Sequence, residues 1–263
     1  MIGFLIKKNF FDLWDNMFRV ALLNLGFFAP LAFTLMLPSL LVGIPVLFIA
    51  VILTGIFMCC VYLSTAALCL KTVSDNSGFG FRDFFDNLKT AWPAGLVMGG
   101  LAFLAFAMVT MVIPFYLQLN SLIGLLLASV IFWTMVVAVL SLQFFFTVCS
   151  RLEPKLSKAL KKCFIIFFDN PGFAFFTFIS TVFMMALSVL LAFLFPGFAG
   201  MLLYQDEALR LRLFKYDWLE ANPEAISSAG KKKPQIPWDA ILIDERERTG
   251  TRTLKNFIFP WKD

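Results

Sequence analysis

The residues best suited to chemistry in this chain are three aspartates that share one short motif. Each follows two phenylalanines and comes just before a long apolar run; the three are Asp12, Asp86 and Asp169. Carboxylates gathered at a membrane surface could act as general acid and base. An aspartate in front of an apolar helix more commonly caps that helix or pairs with nearby lysine and arginine, so we favour the structural role for all three.

Most other catalytic and metal-binding chemistry lacks its usual side chains here. The chain has no histidine, the commonest general base at neutral pH. Its five cysteines lie in or beside apolar segments and form no CxxC pair, which is unlike a zinc or iron–sulfur site. We therefore expect a protein that is not an enzyme, with no catalytic, cofactor-binding or metal-binding residues. A membrane-surface enzyme built on the three aspartates is the third functional hypothesis.

The elements that carry these residues are three runs without a single Asp, Glu, Lys or Arg. They cover residues 20–70, 90–150 and 170–205. A spanning helix needs about 20 apolar residues, so the middle run alone is long enough to cross a bilayer twice. The chain is 60% hydrophobic and 15% charged, with a mean hydropathy of +0.85. These values predict an all-α, polytopic helical membrane bundle in contact with the lipid bilayer.

Breaks within the runs predict about six transmembrane helices. Proline and glycine or polar residues at 38–45 and 114–121 divide the first two runs into hairpins. The third run can hold one long crossing or two short ones, which gives the chain five or six crossings in total. We predict six, with a short last crossing at 198–213 shielded by the others. Amphipathic patterns at 6–19, 81–92 and 151–169 predict that each of the three hairpins is preceded by an interfacial helix.

Charge is distributed unevenly along the chain. Lys and Arg number three before the first run, three and five in the two connections, and eleven after the third run, whereas the hairpin tips have none. The positive-inside rule then places the N-terminus and both connections in the cytoplasm, and six crossings place the C-terminus there as well. We expect the protein to lie in the cell (inner) membrane. Topology explains the net charge of +5 better than nucleic acid does, so we expect no nucleic-acid partner.

We divide the chain into a transmembrane domain, 1–214, and a cytoplasmic polar tail, 215–263. Residues 222–237 have the composition of a linker. Pro-Trp pairs at 237–238 and 260–261 bracket the charged part of the tail. The tail could therefore bind a membrane-protein partner or the headgroup layer, although we favour packing against the same chain.

Three short segments resemble the YesL-like family of bacterial integral membrane proteins, a domain of unknown function. They are Ala-Leu-Leu-Asn at 21–24, Phe-Arg-Asp-Phe-Phe at 81–85, and Ser-Lys-Ala-Leu at 157–160 leading to Asp-Asn-Pro at 169–171. The resemblance covers residues 10–213 and excludes the tail. Members are often encoded beside carbohydrate ABC transporters, which implies a transport-related neighbourhood and no particular mechanism.

Polar groups inside the runs are few and uncharged. Ion-coupled transporters usually carry ionisable residues within the membrane, so their absence from the three runs disfavours that class. Our first hypothesis is an accessory or assembly component of a membrane complex. The alternative is a permease for a neutral or amphiphilic solute, with Asn24 and Gln143 as its test residues. Gly95 and Gly99 form a GxxxG face that we expect to pack within the chain.

Overall fold

The computed structural model describes residues 1–224 and 234–250. Within these ranges the chain is helical and contains no β-strand, which confirms the predicted all-α membrane bundle. In chain order the helices are α1 (Ile2–Asp15), α2 (Met17–Met36), α3 (Pro45–Ser74), α4 (Phe81–Ala107), α5 (Ile113–Gln118), α6 (Leu122–Leu142), α7 (Phe145–Arg151), α8 (Leu156–Asp169), α9 (Pro171–Leu190), α10 (Gly197–Ala221), α11 (Trp238–Ile241) and α12 (Ile243–Thr249). A 3₁₀ turn at Pro38–Leu41 and a π-helical turn at Met108–Val112 separate α2 from α3 and α4 from α5.

Five helical segments in the described residues are long and apolar enough to cross a membrane. They are Met17–Leu41, Pro45–Ser74, Phe81–Gln118, Leu122–Arg151 and Pro171–Leu190. Their outward faces are apolar and exposed, as lipid contact requires. The segment predicted as a short sixth crossing lies in α10. Its side chains are mostly buried, which agrees with the predicted shielding, and its second half is charged.

The turn between α9 and α10 lies part-way along the bundle. Asn24 of α2 donates hydrogen bonds to the carbonyls of Leu194 and Pro196 in this turn. Asn24 is seven residues from the start of α2, or about 10 Å at 1.5 Å per residue. The α9–α10 hairpin therefore turns back before reaching the far end of α2, and its break falls at the predicted Phe-Pro-Gly sequence, 195–197.

Helices α3 and α4 form the closest pair in the bundle. A Cβ atom added to Gly95 would overlap the backbone of Val61, and one added to Gly99 would overlap the ring of Phe57. The hydroxyl of Ser64 also donates to the carbonyl of Ala91 across this seam at 2.9 Å. The predicted GxxxG face thus packs within the chain, where the absence of side chains permits backbone contact.

The buried core surrounds α10 at one end of the bundle. Two clusters of buried apolar residues meet there, one including Leu5, Phe144 and Leu209, the other including Val20, Leu70 and Leu203. At the opposite end the apolar side chains are exposed. This division is expected for a membrane protein whose lipid-facing helices need little burial against each other.

The three amphipathic segments adopt different forms. The first and third are separate helices, α1 and α8. The second is not a separate helix. It forms the opening turns of α4, which continues past Pro93. A proline removes one backbone donor, and α4 continues through this position.

Part of the tail packs on the bundle. Helix α10 continues past residue 214 to Ala221, and α11 and α12 follow the undescribed stretch 225–233. Leu242, between α11 and α12, is fully buried in the core cluster that contains Leu5, and Trp238 packs against the same cluster. Packing of the tail against its own chain is thus observed for 234–250. Most of the predicted linker and the second Pro-Trp pair lie outside the described residues.

Candidate functional site

A partly open cavity of about 670 Å³ lies between α4, α6, α9 and α10. Its walls are almost entirely apolar, and none of the described residues that line it is charged. Five lining residues are methionines, whose flexible thioethers adapt to ligands of different shape. They are Met98, Met108, Met135, Met185 and Met201. Its size falls within the 300–1,000 Å³ that is typical of small-molecule sites.

Local sequence explains why this space exists. Small side chains, Ala102, Ala105 and Ala138, face the cavity from α4 and α6 and leave volume between these helices. Near the far end, Pro114 cannot donate a hydrogen bond to the preceding turn, and the helix widens there into the π-helical turn Met108–Val112. Helices α4 and α6 therefore stay apart on either side of the cavity although they are joined by the tight turn after α5.

Two glutamines are among the few polar residues that line the cavity. Gln143, just after α6, donates through Nε2 to the carbonyls of Leu140 at 2.8 Å and Ala174 at 2.9 Å. Its Oε1 is buried and accepts no hydrogen bond from the described residues. Gln205 of α10 also lines the cavity and is only 6% exposed. An uncharged ligand with hydrogen-bonding groups at one end would match this arrangement.

Asn24, the other test residue for a permease, has a different place. It lies outside the cavity lining, and its Oδ1 accepts from the backbone N–H of Ala199 at 2.9 Å. With its two donated bonds, the side chain fastens the α9–α10 turn and satisfies one of the free N–H groups at the start of α10. Gly197, with φ of +60°, packs against the same amide. Asn24 is therefore a structural residue.

A second candidate site is a group of ion pairs at the core end of the bundle, which we call the charged cluster. Arg151 of α7 makes a bidentate pair with buried Asp206 of α10, at 2.5 and 2.7 Å. Asp75, after α3, accepts a hydrogen bond from Arg151 at 3.1 Å and forms an ion pair with Arg210 at 3.1 Å. The guanidinium of Arg210 also lies 2.6 Å from the carboxylate of Glu245 in α12. The cluster thus ties α3, α7, α10 and the tail together.

Helix α1 joins the charged cluster through Lys8. Its ammonium lies 2.6 Å from Asp12 and 3.7 Å from Glu245, and the lysine is only 4% exposed. Lys7 also donates to the carbonyl of Gly250 at 3.2 Å. Residues near the N-terminus and residues 234–250 therefore lie at the same end of the bundle.

Glu207 is the exceptional member of the charged cluster. It is 1% exposed, and neither carboxylate oxygen has a hydrogen-bond donor among the described residues. Burial raises the pKa of Glu207 well above its usual range, the nearby carboxylate of Asp12 raises this pKa further, and Lys8 opposes both effects only partly. Glu207 is thereby suited to hold a proton in the folded protein.

The structure separates the three aspartates of the repeated motif. Asp12 pairs with Lys8 beside Glu207, whereas Asp86 pairs with lysine and arginine on the exposed start of α4. Asp169 accepts from Lys215 at 2.8 Å and Tyr216 at 2.7 Å. Partial burial would raise the pKa of Asp169, but these two hydrogen bonds outweigh it and lower that pKa. Each aspartate thus has ion-pair or hydrogen-bond partners of its own.

The five cysteines are free thiols, and the described residues contain no group of three or more His, Cys, Asp or Glu placed to hold a metal ion. Sequence reasoning missed Gln205, Asp206, Glu207 and Arg151 as partners. The signal available was the triplet Gln-Asp-Glu at 205–207, which ends the third charge-free run in the middle of an apolar helix.

Comparison of the chain with protein-family models, curated proteins and solved structures found no match. The resemblance to the YesL-like family stays a prediction. The geometry of the cavity and of the charged cluster is consequently the basis for the functional argument.

Proposed function

We propose that this multi-pass membrane protein binds a neutral amphiphilic solute in the cavity between α4, α6, α9 and α10 and acts as a permease for it. The observation that carries the proposal is the cavity itself: a ligand-sized apolar space within the spanning helices, with a few uncharged polar residues in its lining. Burying an ion or a charged solute there would cost free energy, because none of the described lining residues compensates its charge. The absence of ionisable residues from the charge-free runs points to the same class of solute.

A cavity-filling substitution tests this proposal. Ala105→Trp places a large ring in the cavity, whereas the matched control Ala50→Trp adds the same ring to an exposed position of α3. Wild-type protein in lipid nanodiscs should bind tritiated 1-hexadecanol saturably in a scintillation proximity assay. The control should bind equally well, and Ala105→Trp should lose at least nine-tenths of the binding.

Transport is measured separately from binding. Proteoliposomes containing a fluorescent NBD-labelled monoacylglycerol are treated with dithionite, which bleaches only the outer leaflet. Wild type and Ala50→Trp should speed the loss of the protected fraction, and Ala105→Trp should match protein-free liposomes. Saturable binding without faster movement of the labelled lipid between leaflets would mean that the protein binds the solute but does not transport it. Equal binding by both tryptophan variants would refute the cavity as the site.

An accessory or assembly role in a membrane complex is the second candidate. It is favoured by α8 and the residue before it, where three exposed lysines lie beside two exposed apolar residues. They are Lys155, Lys158, Lys161, Ile165 and Phe168. Such a face suits an acidic membrane partner, and the resemblance to the YesL-like family would suggest a transport complex. Changing the three lysines to glutamate should release a co-purifying protein in mild detergent if this role holds, and an unchanged, partner-free preparation counts against it.

We also infer that the protein lies in the cell (inner) membrane with its termini in the cytoplasm. The uneven Lys and Arg distribution supports this orientation. Contacts of α1 with α12 support a shared side for α1 and the described tail segment 234–250, since Lys8 faces Glu245 across these helices.

A further inference from the structure

We propose that the solute is an uncharged single-chain amphiphile whose headgroup carries a hydroxyl or amide N–H, and that Gln143 and Gln205 recognise this headgroup. The inference deepens the proposed function and rests on it. Three features of the cavity define the ligand: the hydrogen-bonding state of the two glutamines, the absence of charge, and the volume.

Gln143 requires a donor from the ligand. Its Nε2 already donates to two backbone carbonyls, one at the end of α6 and one on α9. Turning the amide over would direct Oε1 at those two carbonyl oxygens, so the orientation is determined by its surroundings. Oε1 is left buried without a donor, which costs roughly 1–3 kcal/mol. Oε1 has almost no surface open to the cavity, so a headgroup O–H or N–H reaches it only when the side chains that cover it shift, and the new hydrogen bond would then recover this loss.

Gln205 requires a partner that can both donate and accept. The side chain lines the cavity, is 6% exposed, and makes no hydrogen bond to the described residues. Its amide offers two N–H donors and one carbonyl acceptor. A hydroxyl donates and accepts through one atom, so it can pair with either glutamine. An ester or ether can only accept and would leave Gln143 Oε1 unpaired.

The cavity lining excludes a charged headgroup and limits the chain. No described residue that lines the cavity is charged, so a phosphate, carboxylate or ammonium group would be buried without a counter-ion. At roughly 30 Å³ per non-hydrogen atom, the volume of a water molecule in the liquid, 670 Å³ holds about 20 such atoms. That number fits one acyl or alkyl chain with a small head, such as a monoacylglycerol.

Two uncharged probes of similar length test the headgroup. The first is 1-monomyristoylglycerol, which has two hydroxyls, and the second is methyl myristate, which has no donor. Both compete with tritiated 1-hexadecanol for wild-type protein in nanodiscs. The monoacylglycerol should bind at least tenfold more tightly, corresponding to about 1.4 kcal/mol. Dodecyltrimethylammonium, a charged probe, should fail to compete.

The variants Gln205→Leu and Gln143→Leu remove the two headgroup partners, and Gln118→Leu, at the exposed end of α5 outside the cavity lining, is the control. Each cavity variant should weaken the monoacylglycerol at least fivefold and change methyl myristate by less than twofold, because only the former uses the amides. Retained binding of methyl myristate shows that a variant is folded. If one variant loses both probes through misfolding, the other supplies the comparison.

The outcomes separate the inference from the proposed function. Equal affinity of the two probes for wild type, or equal losses of both in the two cavity variants, would overturn the headgroup assignment while leaving the cavity as a site. Failure of every probe to bind saturably to wild type would overturn the proposed function as well. Tight binding of dodecyltrimethylammonium would contradict the uncharged ligand.

Discussion

Replacing Glu207 by glutamine should remove a pH dependence of stability that the buried carboxyl group creates. Burial and Asp12 raise the pKa of Glu207 in the folded protein, and unfolding returns it to its ordinary value near 4.3. The fold therefore binds the proton more tightly than the unfolded chain does. Stability from this group is fully present below the ordinary pKa and is lost as the pH rises through the raised pKa. The slope is at most about 1.4 kcal/mol per pH unit for one proton.

Glutamine has the same length and carries no charge, so Glu207→Gln should be insensitive to pH at this position. Above neutral pH the variant should melt at a higher temperature than wild type, and the difference should shrink toward pH 4.5. Thermal unfolding in a mild detergent, followed by tryptophan fluorescence between pH 4.5 and 8.5, measures this. Glu220→Gln, at an exposed site on α10, is the control and should follow wild type. Parallel melting curves for wild type and Glu207→Gln at all pH values would refute the reasoning.

Three further predictions test the packing and topology. Arg151→Ala leaves a buried carboxylate without its partner and should destabilise the protein by about 3–5 kcal/mol, whereas Arg82→Ala, on a 95% exposed side chain, should cost less than about 1 kcal/mol in the same thermal assay. Gly99→Ala forces α3 and α4 apart and should cost about 1–3 kcal/mol, while Gly100→Ala, with open space at its Cβ position, should be neutral or stabilising; a larger loss at Gly100 would contradict the packing. Topology reporters placed before α1 and after Asp263 should report the same side of the membrane, and opposite sides would refute the shared location of the ends.

The sequence could predict the membrane-spanning helices because each of them depends only on the hydrophobicity of its own residues. A charge-free run of sufficient length needs lipid around it, wherever it lies in the bundle. The hairpin tips at 38–45 and 114–121 could also be predicted, since proline and polar residues interrupt the hydrophobicity there. Asn120, with φ of +43°, sits in such a turn. The GxxxG face of Gly95 and Gly99 was predictable for the same local reason, although its partner residues on α3 were not.

The sites depended on contacts that no local pattern encodes. Asn24 caps a helix that begins 173 residues later in the chain, and its bond to Ala199 joins residues 175 apart. From the sequence, Asn24 and Gln143 looked alike, as polar residues in apolar runs. Only the packing distinguishes them, because Asn24 has its hydrogen bonds satisfied within the protein and Gln143 retains an unpaired acceptor. The repeated aspartates share a motif, yet the structure places them apart, and each pairs with lysine or arginine near it.

The central helix α10 explains why the cavity and the charged cluster belong to one arrangement. Successive residues of an α-helix point about 100° apart. Gln205, Asp206 and Glu207 therefore face three directions: into the cavity, toward Arg151, and toward Asp12. A charged residue at position 205 would place an unpaired charge in the cavity, and an apolar one at 206 would leave Arg151 buried without its closest partner. The order of these three residues thus allows one helix to present an uncharged side chain to the cavity while the next residue pairs with Arg151 of α7.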